Sequence, residues 1–76
     1  MNIGARIRAR RRWLGLSQTV LAQRSGVHVI SIVRIEGGRE PKPDTLTKLA
    51  TAMDISVAAL RDGDASRLTA TSNPAA

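Results

Sequence analysis

The sequence predicts an all-α fold of five short helices, and three observations carry that prediction. Apolar residues recur at spacings of three, four and seven, the period of one helix face: Ile3, Ile7 and Leu14, then Leu46, Leu49, Ala50 and Met53. Residues that cap or break helices stand around and between these stretches: Asn2, Gly15, Ser17, Gly26, Gly37, Gly38, Pro41, Pro43 and Ser56. No segment carries a defensible strand pattern. The run from Val27 to Val33 is rich in β-branched residues, but a strand there would leave the flanking helices without a partner.

The elements follow in order. Asn2 can cap a first helix over about 2–14, with Ile3, Ile7 and Leu14 on one face and Arg6, Arg8, Arg10, Arg11 and Arg12 crowding the rest. Such like-charge density costs helix stability, so an anion or a buried acid is expected to compensate part of it. Gly15 ends the helix and Leu16 drops toward the core. Ser17 caps a second helix over 18–25, whose apolar side is Val20, Leu21 and Ala22. Gly26 supplies the positive φ needed to leave that helix and turn sharply. A third helix covers 29–36. Residues 37–43 form a loop, since two glycines and two prolines in seven residues cannot continue a helix. Pro43 suits the first position of a fourth helix over 43–53, where its missing N–H costs nothing. Asp54-Ile55 is a short joint, Ser56 caps a fifth helix over 57–61, and Asp62-Gly63-Asp64 closes the fold. Residues 1–64 read as one domain, and residues 65–76, small, polar and proline-tipped, as a disordered tail.

The second and third helices are the centre of the chain. At about 100° per residue, Ser31, Ile32 and Ile35 fall on one side of the third helix and Val29, Ile30, Val33 and Arg34 on the other. The first side can face a core. The second is an apolar strip ending in an arginine and pointing outward, the layout of a helix-turn-helix whose second helix is offered to DNA. Charge agrees: twelve Lys and Arg against six Asp and Glu give a net +6, and ten of the twelve are arginine. Arginine binds phosphate through a planar fork and base edges bidentately, so the partner expected is nucleic acid.

Other classes are poorly served. Without cysteine there is no disulfide and no thiolate zinc site, and the single histidine, His28, cannot build a metal site alone. No cofactor is expected. There is no nucleophile–base pair and no carboxylate cluster, so an enzyme is the weakest reading. No apolar run approaches the length of a membrane helix, and no apolar stretch follows the basic N-terminus as in a signal peptide. A cytoplasmic protein is expected.

Ile7-Arg8, Arg11, Gly15-Leu16-Ser17-Gln18, Leu21-Ala22, Gly26-Val27, Ile32, Arg34-Ile35-Glu36, Gly38, Thr45-Leu46, Lys48-Leu49-Ala50 and Leu60 together resemble the Cro/C1-type helix-turn-helix family over residues 3–61. Any one of these is weak, but the ordered set with its spacing is a strong signal. The resemblance implies a compact five-helix, lambda-repressor-like DNA-binding domain and a sequence-specific regulator of transcription. Family members are usually dimers on palindromic operators and often autoregulated. Three features depart from the family pattern. His28 stands where Ser or Thr usually opens the recognition helix. Val29, Ile30 and Val33 stand where polar residues are common. The loop after Glu36 is about one residue shorter than the commonest form.

The resemblance also implies roles for single residues. Gln18 at the start of the second helix would meet a DNA phosphate and steady the neighbouring helix, or be an ordinary exposed first-turn residue. Arg11 and Glu36 would form a structural pair fixing the recognition helix against the first helix. Arg39 and Lys42 flank a loop that would run along the phosphate backbone. Arg34, on the outward face, is the candidate for a base contact, with phosphate or solvent as the alternative. Val29, Ile30 and Val33 can pack on thymine methyl groups, or be partly buried, or face a protein. His28 caps the third helix or touches a phosphate; in the second case its protonated form would bind better at lower pH. Ile55, Val57 and Ala58 form a dimer surface or simply finish the core. With no ligand domain in these residues, occupancy would follow protein concentration, as in a restriction–modification or phage-type controller. The rival is an antitoxin or adaptor whose apolar third helix or tail binds a protein.

Overall fold

The computed structural model describes residues 2–62. Five helices run α1 (Ile3–Trp13), α2 (Gln18–Ser25), α3 (Val29–Glu36), α4 (Pro43–Ala52) and α5 (Val57–Asp62). The expected ends hold to within a residue: Asn2, Leu14 and Met53 cap helices instead of belonging to them, and α5 reaches Asp62. The expected domain end at 64 and the expected tail over 65–76 lie outside the described residues.

Local chemistry sets each boundary. Asn2 accepts from the Ala5 N–H at 2.8 Å, Ser17 from Val20 at 3.0 Å and Ser56 from Ala59 at 3.0 Å, each relieving one orphan donor of a first turn. His28 does the same for α3, its Nδ1 accepting from the Ile30 N–H at 3.1 Å. α4 has no side-chain cap and begins instead on Pro43. Gly15 and Gly26 leave α1 and α2 at φ 74° and 76°, conformations that cost other residues more. Asp54 takes the same left-handed turn at φ 56° after α4, which Asp tolerates better than most residues.

α1 packs on α3 and α5, α2 on α3 and α4, and α4 on α5. The core between them is Ile7, Leu21, Val27, Ile32, Ile35, Leu46, Leu49, Ala50, Met53 and Leu60. Ile3, Leu14, Leu16, Ala22, Ile55 and Val57 close its edges. Val20, expected on the apolar side of α2, is half-buried and outside that cluster, while Val27 just beyond the turn joins it.

Two features of α1 go beyond the expected pattern. Arg10 is buried, not part of the crowded outer face: its Nε and Nη2 donate to the Met53 carbonyl at 3.1 and 2.9 Å, and Nη2 also to Asp54 at 3.2 Å. It therefore satisfies carbonyls at the C-terminus of α4, where a cation also meets the negative end of the helix dipole. Gly4 lies where α1 crosses the end of α3. A Cβ there would overlap the Ile35 carbonyl oxygen. The atoms it would meet, in Ile35 and Glu36, are all backbone, so no rotamer change relieves the overlap.

Replacing Gly4 with Ala separates two effects. Helix propensity alone would stabilise the protein by up to about 1 kcal/mol. The overlap should override this and cost about 2 kcal/mol net, in the range of forced overpacking. Urea unfolding of Gly4→Ala should show the lower midpoint; a raised midpoint would mean that the α1–α3 approach is looser than described.

Candidate nucleic-acid interface

α2, the Gly26 turn and α3 form a helix-turn-helix, and the fold leaves one side of α3 uncovered. Ile32 and Ile35 are buried at 0 % and 3 % exposure, which fixes the helix rotation. The opposite face then presents Ile30, 51 % exposed, and Val33, 48 % exposed, with Arg34 exposed at one edge and half-buried Val29 at the other. Two large apolar side chains are thus left half in water on one face of the helix.

The Glu36 carboxylate holds the end of this helix. Arg11 of α1 donates to it from Nε at 2.7 Å and from Nη2 at 2.9 Å, a bidentate pair. Gln18 of α2 donates to the same carboxylate from Nε2 at 3.2 Å. The side chains of Arg11 and Glu36 are only 10 % and 4 % exposed. Arg11 spends its remaining amino group, Nη1, on the Leu16 carbonyl at 2.8 Å, tying down the chain between α1 and α2. The Glu36 hydrogen bond holds Arg11 above the ordinary arginine pKa against the pull of burial. Arg10 is displaced the other way: burial lowers it, and Asp54 partly offsets this. Its guanidinium also lies 5.0 Å from the centre of the Trp13 ring, a cation–π contact that accounts for one side of this 56 % exposed tryptophan.

The remaining cations are sorted by these contacts. Arg6 donates to the Arg61 carbonyl at the end of α5. Arg8 and Arg12 stay exposed on α1 and, with Ser17, Gln18, Val33 and Gly37, line a shallow groove beside the start of α2. On the other side of α3, exposed Arg39 and Lys42, with exposed Glu40 between them, line a second groove with Ser31, Ile35, Pro41 and Thr45. Pro41 is buried and anchors that loop. The apolar strip of α3 thus runs between two basic margins.

Of the residues singled out from sequence, Ile30, Val33, Arg34, Arg39, Lys42 and His28 are exposed. Gln18 is half-buried with its amide nitrogen on Glu36, so the steadying of the neighbouring helix is visible as a hydrogen bond. His28 caps α3 through Nδ1, which needs the neutral ring with its proton on Nε2. Ile55 and Val57 lean on the core and Ala58 is exposed. The roles of Arg10 and Gly4 escaped the sequence reading, yet a signal was present. Arg10 continues the spacing of Ile3, Ile7 and Leu14, and Gly4 flanks that same stripe. Among the described residues no group of three or more His, Asp or Glu could hold a metal, and no helix is long and apolar enough to cross a membrane.

A family model described as helix-turn-helix matches residues 7–60. No solved structure matches the chain.

Glu36→Gln keeps the shape of the junction and removes its charge, leaving Arg11 buried beside a neutral amide. Breaking one side of a buried pair is costly, so the variant should lose about 3 kcal/mol in urea unfolding, a large share of the stability of so small a domain. Replacing both members, Arg11→Met with Glu36→Leu, should restore part of that loss. A Glu36→Gln variant as stable as the parent would remove the junction from the account.

Proposed function

The chain belongs to the Cro/C1-type helix-turn-helix family of DNA-binding transcriptional regulators, and from that premise we propose that it acts as a homodimeric, autoregulated repressor on a palindromic operator. The observation that carries this reading is the uncovered face of α3 between two basic margins. Phosphate contacts would position the protein and base contacts would give the specificity. Arg39 and Lys42 would hold one strand. On the other side the N-terminus of α2 offers backbone N–H groups to a phosphate, with Gln18 and Arg8 beside it. His28 can serve both ends at once, capping α3 through Nδ1 while Nε2 donates to a phosphate, so this contact needs no added proton.

α3 would lie in the major groove, with Val29, Ile30, Val33 and Arg34 toward the base edges. Arg34 suits guanine O6 and N7, the commonest specific pairing of arginine. One such helix reads a short half-site, and a two-fold dimer through Ile55, Val57 and Ala58 would double it. That surface lies on α5 and the joint before it. Repression follows where the operator overlaps a promoter, as in restriction–modification or phage-type controllers. The exposure of Ile30 and Val33 also fits the rival in which an antitoxin or adaptor binds a protein there.

Enrichment of sites from a random duplex pool at near-physiological salt should return a palindromic motif. Arg34→Ala should then reduce the ratio of specific to random binding by about tenfold or more. Arg39→Ala should instead weaken both similarly and flatten the salt dependence by about one counterion per subunit. Salt-sensitive binding without any enriched motif would sink the specific reading and favour a protein at α3.

A further inference from the structure

We infer that the outward face of α3 reads the C5-methyl groups of pyrimidines, so that its half-site is specified by methyl positions: thymine, or 5-methylcytosine in thymine's place. This rests on the DNA-binding reading above and names the chemical group recognised. The argument begins with what the face lacks. Ile30 and Val33 occupy its centre, about 60° apart around the helix, and Val29 lies at its edge; none of the three can donate or accept a hydrogen bond. Arg34 at the other edge carries the hydrogen-bonding capacity of the strip.

An apolar side chain pressed against a base edge acts in two ways. Against a C5-methyl it buries apolar surface. Against an amino group or ring nitrogen it strips water and returns no hydrogen bond, which is penalised. The major groove presents one apolar feature on a standard base, the thymine methyl. Cytosine methylated at C5 carries the same group at the same ring position. Ile30 and Val33 are three residues apart, about 4.5 Å along the helix, a little more than one base-pair step of about 3.4 Å. Two methyls on adjacent or next-adjacent pairs therefore lie within the span of the strip. The margins select the occupant: Arg8 and Arg12 on one side are exposed cations, and on the other Arg39 and Lys42 outnumber Glu40, so both margins are net positive and fit phosphate strands flanking an apolar centre.

The test uses the full chain and the duplex that enrichment returns. Thymines of the half-site are replaced singly by deoxyuridine, which removes the methyl and leaves every hydrogen-bonding group. At two or more positions per half-site this should weaken binding about fourfold per buried methyl. In Ile30→Ala or Val33→Ala, both surface changes checked for unaltered thermal unfolding, at least one of those effects should vanish. Replacing a sensitive T·A pair by 5-methylcytosine·G should retain about fourfold more affinity than unmethylated C·G. If deoxyuridine throughout the half-site leaves affinity within twofold while the protein still prefers that duplex to random DNA, methyl reading is overturned and DNA reading stands. If no duplex is enriched, both fall.

Discussion

The tie between the end of α3 and the two helices beside it depends on one buried carboxylate. Glu36 ends α3, and its two oxygens gather a guanidinium from α1 and an amide from α2. Three helices that share little sequence-local contact are thereby fixed at one point. The charge cannot be left alone at such burial, and neither can Arg11, so each enforces the presence of the other. The hydrophobic core sets which side of α3 faces inward, through Ile32 and Ile35. The carboxylate adds what a non-directional core cannot supply, a directional tie between the end of α3 and the helices beside it.

The same logic explains how α1 carries so many arginines. Arg11 spends its charge on Glu36, while Arg10 and Arg6 turn to backbone carbonyls at the C-termini of α4 and α5. Helix C-termini are partial negative charges with unsatisfied acceptors, and a planar guanidinium can serve two at once. The compensation foreseen as an anion or a buried acid is thus one acid and two helix ends. Arg8 and Arg12 are left on the surface, beside the start of α2, where an anion would find them. One arginine-rich helix acts as both clamp and electrostatic margin.

Much of this could be read in the sequence because local chemistry decided it. Asn2, Ser17, His28 and Ser56 cap the helices they precede, and Gly15 and Gly26 take the turns they suit. The two faces of α3 follow from its period alone. The Arg11–Glu36 pair came from family resemblance, since nothing local connects residues 25 positions apart. Arg10 and Gly4 were missed for a related reason. Arg10 donates to the backbone of Met53 and Gly4 makes room for the backbone of Ile35, and a distant backbone group leaves no mark in the sequence. An arginine at a core spacing was outweighed by the basic residues around it.

The most direct measurement is the set of intermolecular NOEs from methyl-labelled Ile30 and Val33 in the complex with an enriched duplex. A helix held by Glu36 with its apolar face in the major groove should give cross-peaks from both residues to pyrimidine C5-methyl protons. Cross-peaks only to sugar protons of the minor groove, or methyl signals unshifted from the unbound protein, would contradict the account.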